Sequence, residues 1–175
     1  CNISSLSTKV AVSTPTVKKY LQYLSLSYQT LSLPSWEKNE SKRLVKTPKV
    51  HFLDYGVVQA VLGKQAMPNG NEFESLIVSE IYKQAKQLDI NVNFYHLRTA
   101  DGREVDLLVE TEHGYYAFEV KQADHVANTD ARHLRDLSEI LNDKPLIHSF
   151  VLSNDIETKE LGENITAVHA AYFLG

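Results

Sequence analysis

The sequence predicts an α/β chain of the α+β kind, a mixed sheet flanked by helices and preceded by a small basic unit. Three observations predict it. Glu72–Leu88 repeats apolar residues at helical spacing, three strand-length segments follow it, and a loop-forming stretch, Lys64–Asn71 with Pro68, Asn69 and Gly70, precedes it. The 175 residues, 43% hydrophobic and 23% charged, suit a packed core. No apolar run approaches the ~18 residues of a membrane span, and no basic segment followed by an apolar stretch marks a secretory leader. A single cysteine, Cys1, permits no internal disulfide. A cytoplasmic protein with no membrane partner is expected. The first residue is Cys and the one methionine is Met67, so the chain is expected to start inside a longer protein.

In chain order, Ser13 or Thr14 can cap a helix running to Leu26, with Pro15 in its first turn and Val17, Leu21 and Leu24 as an apolar stripe. Gln29–Leu33 reads as a strand. Pro34–Lys49, polar and charged around Trp36, reads as an exposed hairpin or loop. An apolar segment resumes at Val50, and Val57–Leu62 is a short helix closed by Gly63. On the long helix Phe73, Leu76, Ile77, Ile81, Ala85 and Leu88 share a face. Strands follow at Asn91–Arg98, Arg103–Glu110 and Tyr115–Lys121, with turns at Ala100-Asp101-Gly102 and His113-Gly114. Asn128–Asn142 is expected to be a second helix, with Leu134, Leu137, Ile140 and Leu141 facing in. Leu146–Leu152 is a fourth strand and Ile165–Val168 a last edge strand.

Charge is unevenly spread. Residues 1–56 hold eight Lys/Arg against three Asp/Glu, and the remainder ten against nineteen, for a net −4. A basic first unit can meet phosphates, whereas an acidic second unit needs a cation to do so. The plain alternative for the basic run is a solvated face.

The second and third strands carry charge where it is least expected. By alternation Val105, Leu107 and Val109 share one face, with Glu104, Asp106 and Leu108 on the other. Likewise Tyr116, Phe118 and Val120 oppose Ala117, Glu119 and Lys121. A His113-Gly114 turn sets Asp106 opposite Lys121, and a Glu112-His113 turn sets it opposite Glu119. Either register gathers Asp106, Glu119 and Lys121 within a few ångströms, since cross-strand neighbours lie ~5 Å apart. Two close carboxylates repel unless a cation joins them. Mg²⁺ accepts one or two carboxylates with waters and phosphate oxygens, and a lysine can stabilise developing negative charge. The bland alternative is a solvent-facing strand pair with an Asp106–Lys121 ion pair. Glu74, in the first turn of the long helix, is a fourth candidate. Its alternative role is a capping partner of Asn71.

Glu74, Asp106 and Glu119-Val120-Lys121 resemble, in order and context, the PD-(D/E)xK nuclease superfamily over about residues 64–152. That resemblance implies a restriction-endonuclease-like fold, catalytic Glu74, Asp106, Glu119 and Lys121, and Mg²⁺ or Mn²⁺ on Asp106 and Glu119. Five strings carry a closer resemblance: Thr16–Leu21, Lys46–Gly56, Gly70–Glu74, Gly102–Asp106 and Glu119–Lys121. They are similar to a family of unknown function that forms the C-terminal part of bacterial and archaeal AAA+-type ATPases. That family joins a winged-helix-like unit, here residues 1–63, to a nuclease-like domain, here 64–175. It implies an ATPase domain in the same full-length chain, and DNA as a partner. The expected DNA contacts are Lys18 and Lys19 on the first long helix and Lys42, Arg43 and Lys46 in the wing-like loop. Val105 stands where the superfamily motif has Pro, and no Gln-x-x-x-Tyr follows Lys121. Gly63-Lys64-Gln65 lacks the first Gly and the Ser/Thr of a phosphate loop, so no ATP site is expected in this fragment. Two functions are expected from this: a metal-dependent deoxyribonuclease, or an inactive nuclease-fold module recruiting DNA or a partner protein. Seven scattered histidines without an H-E-x-x-H or a cysteine pair argue against zinc.

Overall fold

In a computed structural model, residues 3–37, 47–63, 66–141 and 143–175 are described. The N-terminal part consists of α1 (Ile3–Lys9), α2 (Thr14–Leu26), β1 (Thr30–Leu33), β2 (Lys49–Phe52) and α3 (Tyr55–Leu62). Ser13 caps α2 by accepting from the Thr16 N–H, and Pro15 occupies its first turn, as their chemistry requires. β1 and β2 pair antiparallel, with Leu33 opposite Lys49. Gly63 closes α3 in the left-handed conformation at φ 60°.

Next come α4 (Gly70–Gln87), β3 (Asn93–Arg98), β4 (Glu104–Glu110), β5 (Tyr115–Val120), β6 (Leu146–Ser153), β7 (Lys159–Gly162), β8 (Ile165–His169) and α5 (Ala170–Leu174). The six strands lie in the order β3-β4-β5-β6-β8-β7. β5–β6 and β6–β8 are parallel and the other pairs antiparallel. Phe73, Ile77 and Val78 of α4 and Ala170 of α5 pack on Phe94, Leu107, Val109, Phe118, Val120 and Leu152. The second core joins Leu97, Val105, Leu108, Tyr115 and Ala117 to Val126, Leu134, Leu137 and Ile140. The sheet is therefore covered on both sides, which explains its short, strongly apolar strands.

Several expectations change. Asn128–Asn142 is not a helix: among its described residues two 3₁₀ turns, Asn128–Ala131 and Leu137–Glu139, flank Asp136 at φ 53°. Most backbone bonds here run between residues three apart, Arg135 also bonds the carbonyls of Asn128 and Leu161, and Arg103 bonds the Arg135 carbonyl. Leu134, Leu137, Ile140 and Leu141 are nonetheless buried as expected. β8 is not an edge strand, because β7 pairs outside it after a turn with Asn164 at φ 55°. Leu88 ends up exposed just past α4.

Trp36 is the largest departure. Far from lying in an exposed loop, it is fully buried against the sheet. Its backbone N–H donates to the His96 carbonyl at 2.9 Å, and the His96 N–H donates to the Pro34 carbonyl at 3.0 Å. Its indole N–H donates to the Tyr115 hydroxyl at 3.0 Å, and that hydroxyl reaches Asp143. The chain after β1 thus extends the sheet edge at β3, and a large apolar ring with a satisfied polar atom fixes the N-terminal hairpin to the sheet.

Candidate carboxylate–lysine site

The β4–β5 ladder runs from Glu110–Tyr115 to Leu107–Phe118. This is the Glu112-His113 register, set by the Thr111 hydroxyl, which accepts from the His113 and Gly114 N–H groups. Gly114 has no room for a side chain, since a Cβ there would lie 2.4 Å from the Pro145 carbonyl. One step beyond the last pair come Asp106 and Glu119.

A bulge re-aims β4 at this point. Tyr95 pairs with Leu108 but Leu97 pairs with Val105, so two β4 residues oppose His96 alone. Val105 consequently joins Leu108 in one core while Leu107 and Val109 join the other, which corrects the alternation expected from the sequence. Bulges of this kind redirect side chains, and here the residues concerned are Asp106 and Leu107.

Asp106 is buried. Its Oδ2 accepts from the Val120 N–H at 3.0 Å, tying it to β5. Its Oδ1 lies 2.8 Å from the Lys49 ammonium of β2. The same Nζ lies 2.7 Å from Glu74 Oε1 and 3.1 Å from Glu104 Oε1. Glu119 is buried and pairs with Lys121 Nζ at 2.6 Å, while its Oε2 is buried with no hydrogen-bond partner among the described residues. Lys121 keeps 37% of its side chain exposed, so it alone of this pair meets solvent.

Glu74 is free for this role because it is not a cap. Asn69 caps α4 and Glu72 completes the capping box, two residues earlier than the Asn71–Glu74 alternative. Beside it His51 is almost fully buried, with Nδ1 3.0 Å from the Ser75 hydroxyl and Nε2 3.8 Å from Glu74 Oε1.

The electrostatics reflect crowded negative charge. Burial raises Glu74 to about 7, with Asp106 adding to it and Lys49 opposing. Burial raises Glu119 to about 7 as well, again with Asp106 adding and Lys121 opposing. Burial alone would lower Lys49, but Asp106 and Glu74 outweigh it and hold the ammonium charged above the usual lysine range. Glu119 does the same for Lys121. Burial, then Lys49, lowers His51 to about 4 and keeps it neutral.

The structure therefore brings Asp106 to Lys49 beside Glu74, and Glu119 to Lys121, with Asp106 acting on both glutamates. Lys49 was not anticipated as a site residue. It stands 57 positions before Asp106 in sequence, at the end of the polar Pro34–Lys49 stretch and inside the Lys46–Gly56 string. Lys18 and Lys19 are exposed on α2, with Lys19 Nζ 5.6 Å from the Tyr23 ring centroid. Lys42, Arg43 and Lys46 lie outside the described residues.

Among the described residues no three His, Cys, Asp or Glu side chains stand ready-made around a metal position. The donor set nonetheless fits a hard divalent ion. Glu74, Glu104, Asp106 and Glu119 offer oxygens only, they outnumber the nearby lysines, and Glu119 Oε2 is an orphaned buried acceptor. In this arrangement Lys49 supplies the cation between Glu74 and Asp106.

Residues 69–173 match the family model described as Domain of unknown function (DUF4143), and the chain belongs to that family, which occurs in ATPase-associated proteins. Residues 1–67 match a second model of the same kind, Domain of unknown function (DUF8612). Uncharacterized proteins of Mycobacterium bovis and Mycobacterium tuberculosis are each 26% identical over 122 residues, covering 68% of this chain. The match spans 28% of the length of these curated relatives. No solved structure matches the chain.

Proposed function

We propose that this chain is a nuclease-type, DNA-interacting module of an AAA+-type ATPase, with a carboxylate–lysine centre suited to divalent-metal-dependent phosphodiester hydrolysis. The observation that carries this reading is the convergence of Glu74 from α4 and Asp106 from β4 on one ammonium, beside the buried Glu119–Lys121 pair of β5. Asp106 and Glu119, with Glu74, would hold Mg²⁺ or Mn²⁺. Such an ion would polarise the phosphodiester and activate water. The protein's own part is to position the groups: Val120 fixes the Asp106 carboxylate through its amide, and Glu119 anchors the solvent-reaching Lys121. Lys121 can then donate to an attacking water or to a phosphate oxygen, where charge develops.

The Lys49 ammonium between Glu74 and Asp106 favours a second reading, an inactive nuclease-fold module that recruits DNA or a partner protein. Plasmid and linear DNA incubated with Mg²⁺ or Mn²⁺ separate the two. The first reading expects cleavage that Asp106→Asn abolishes. Absence of cleavage together with absence of metal binding by calorimetry leaves the recruiting module.

A further inference from the structure

We propose that Lys49 is a tethered cation that occupies the carboxylate site, so that a divalent metal ion loads only by displacing it. The inference rests on the proposed carboxylate–lysine reading and adds a control to it.

The Lys49 ammonium meets carboxylates of three different residues: it donates hydrogen bonds to Asp106 at 2.8 Å and Glu104 at 3.1 Å and forms an ion pair with Glu74 Oε1 at 2.7 Å. A surface lysine would waver among solvated partners. This one is four-fifths buried, and the segment that delivers it is pinned on both sides. Before it, His96 of β3 bonds the Thr47 carbonyl at 3.0 Å. After it, His51 bonds Ser75 of α4 at 3.0 Å. Leu33, paired with Lys49 across the hairpin, is fully buried against the sheet domain.

A hard divalent ion would seek the same Glu74 and Asp106 oxygens, and an ammonium already held on them repels it and competes for them. Lys49 and a metal ion therefore compete for these carboxylates. Among the described residues three buried atoms at this place have no hydrogen-bond partner: Glu119 Oε2, His51 Nε2, which faces Glu74, and Glu74 Oε1, which meets the Lys49 ammonium as an ion pair only. The lysine meets part of the demand of the cluster and leaves the Glu119 side open. Because Lys49 belongs to the N-terminal hairpin, any event that shifts that hairpin would change the cation affinity of the site.

The test is calorimetric titration of Mn²⁺ into the full chain and into Lys49→Ala, Lys49→Gln and Asp106→Asn. The expected result is weak binding to the parent, binding tighter by about tenfold or more in both Lys49 variants, and loss of binding in Asp106→Asn. If the parent binds, Asp106→Asn does not, and the Lys49 variants gain nothing, then Lys49 is no competitor and the metal-site reading survives alone. If no protein binds Mn²⁺, the metal-site reading fails and this inference fails with it. Should the Lys49 variants not fold, the parent protein supplies the answer through amine acylation read by mass spectrometry. Lys49 should be protected without metal and become reactive at saturating Mg²⁺. Unchanged protection at saturation overturns the proposal.

Discussion

Asp106 divides its two oxygens between an ammonium and a backbone amide, whereas Glu119 has one oxygen on an ammonium and the other, among the described residues, without a hydrogen-bond partner. That asymmetry gives Glu119 a predictable pH signature. Burial, reinforced by Asp106, raises its pKa to about 7 in the fold, whereas the unfolded chain has the ordinary value of 4.5. Below pH 4.5 both states hold the proton. Between 4.5 and 7 only the folded state holds it, so the stabilisation is fully present at low pH and is lost as pH rises through about 7. Glu119→Gln removes the ionisation. Relative to that variant, the parent should lose roughly 1–3 kcal/mol between pH 4 and pH 8 in urea unfolding. Parallel stability curves would show that Glu119 does not hold its proton in the fold. His51 works in the opposite sense: burial lowers it to about 4, so its contribution is present above pH 6.5 and is lost as pH falls through 4. The comparison with a single-site variant keeps the two apart.

Among elements, α4 has the most consequential start, two residues before the one expected from the sequence. Asn69 accepts from Glu72 N–H at 3.1 Å and Glu72 accepts from Asn69 N–H at 2.9 Å. Asn69→Ala should cost about 1 kcal/mol in thermal or denaturant unfolding, whereas Asn71→Ala should change little. Equal losses would mean that the cap lies elsewhere. Parts that depend on local periodicity were legible in sequence: α2, α4, β5 and the span, though not the facing, of β4. Three features were not. The bulge opposite His96 adds one residue to β4 without any glycine to mark it. Residues 128–141 carry the leucine spacing of a helix, but their backbone closes into 3₁₀ turns and Arg103 and Arg135 take the Arg135 and Asn128 carbonyls. Lys49 reaches Asp106 through packing between distant segments, and residue spacing along one strand holds no record of that.

At the scale of the molecule, a basic hairpin-bearing unit is fastened to an acidic sheet domain by Leu33, Trp36 and Lys49, each using a different force: apolar burial, a buried hydrogen-bond chain and an ion cluster. The basic unit also carries the proposed DNA contact. Binding should weaken steeply as salt rises, because each phosphate contact releases a counterion, and replacing Lys18 and Lys19 together by alanine should lower the slope of log K against log salt by about 2. Binding at low salt that is indifferent to both lysines would make α2 a protein-docking helix instead. The way Trp36 is seated has an optical consequence. It is the chain's single tryptophan, enclosed at the seam and hydrogen-bonded to Tyr115. While the seam is closed its emission should be blue-shifted and shielded from aqueous quenchers. Any parting of the hairpin from β3 should move the emission to the red before the rest of the sheet unfolds. The protein thus carries an unlabelled fluorescent gauge of its own closure, legible in a cuvette while metal, salt or DNA is varied.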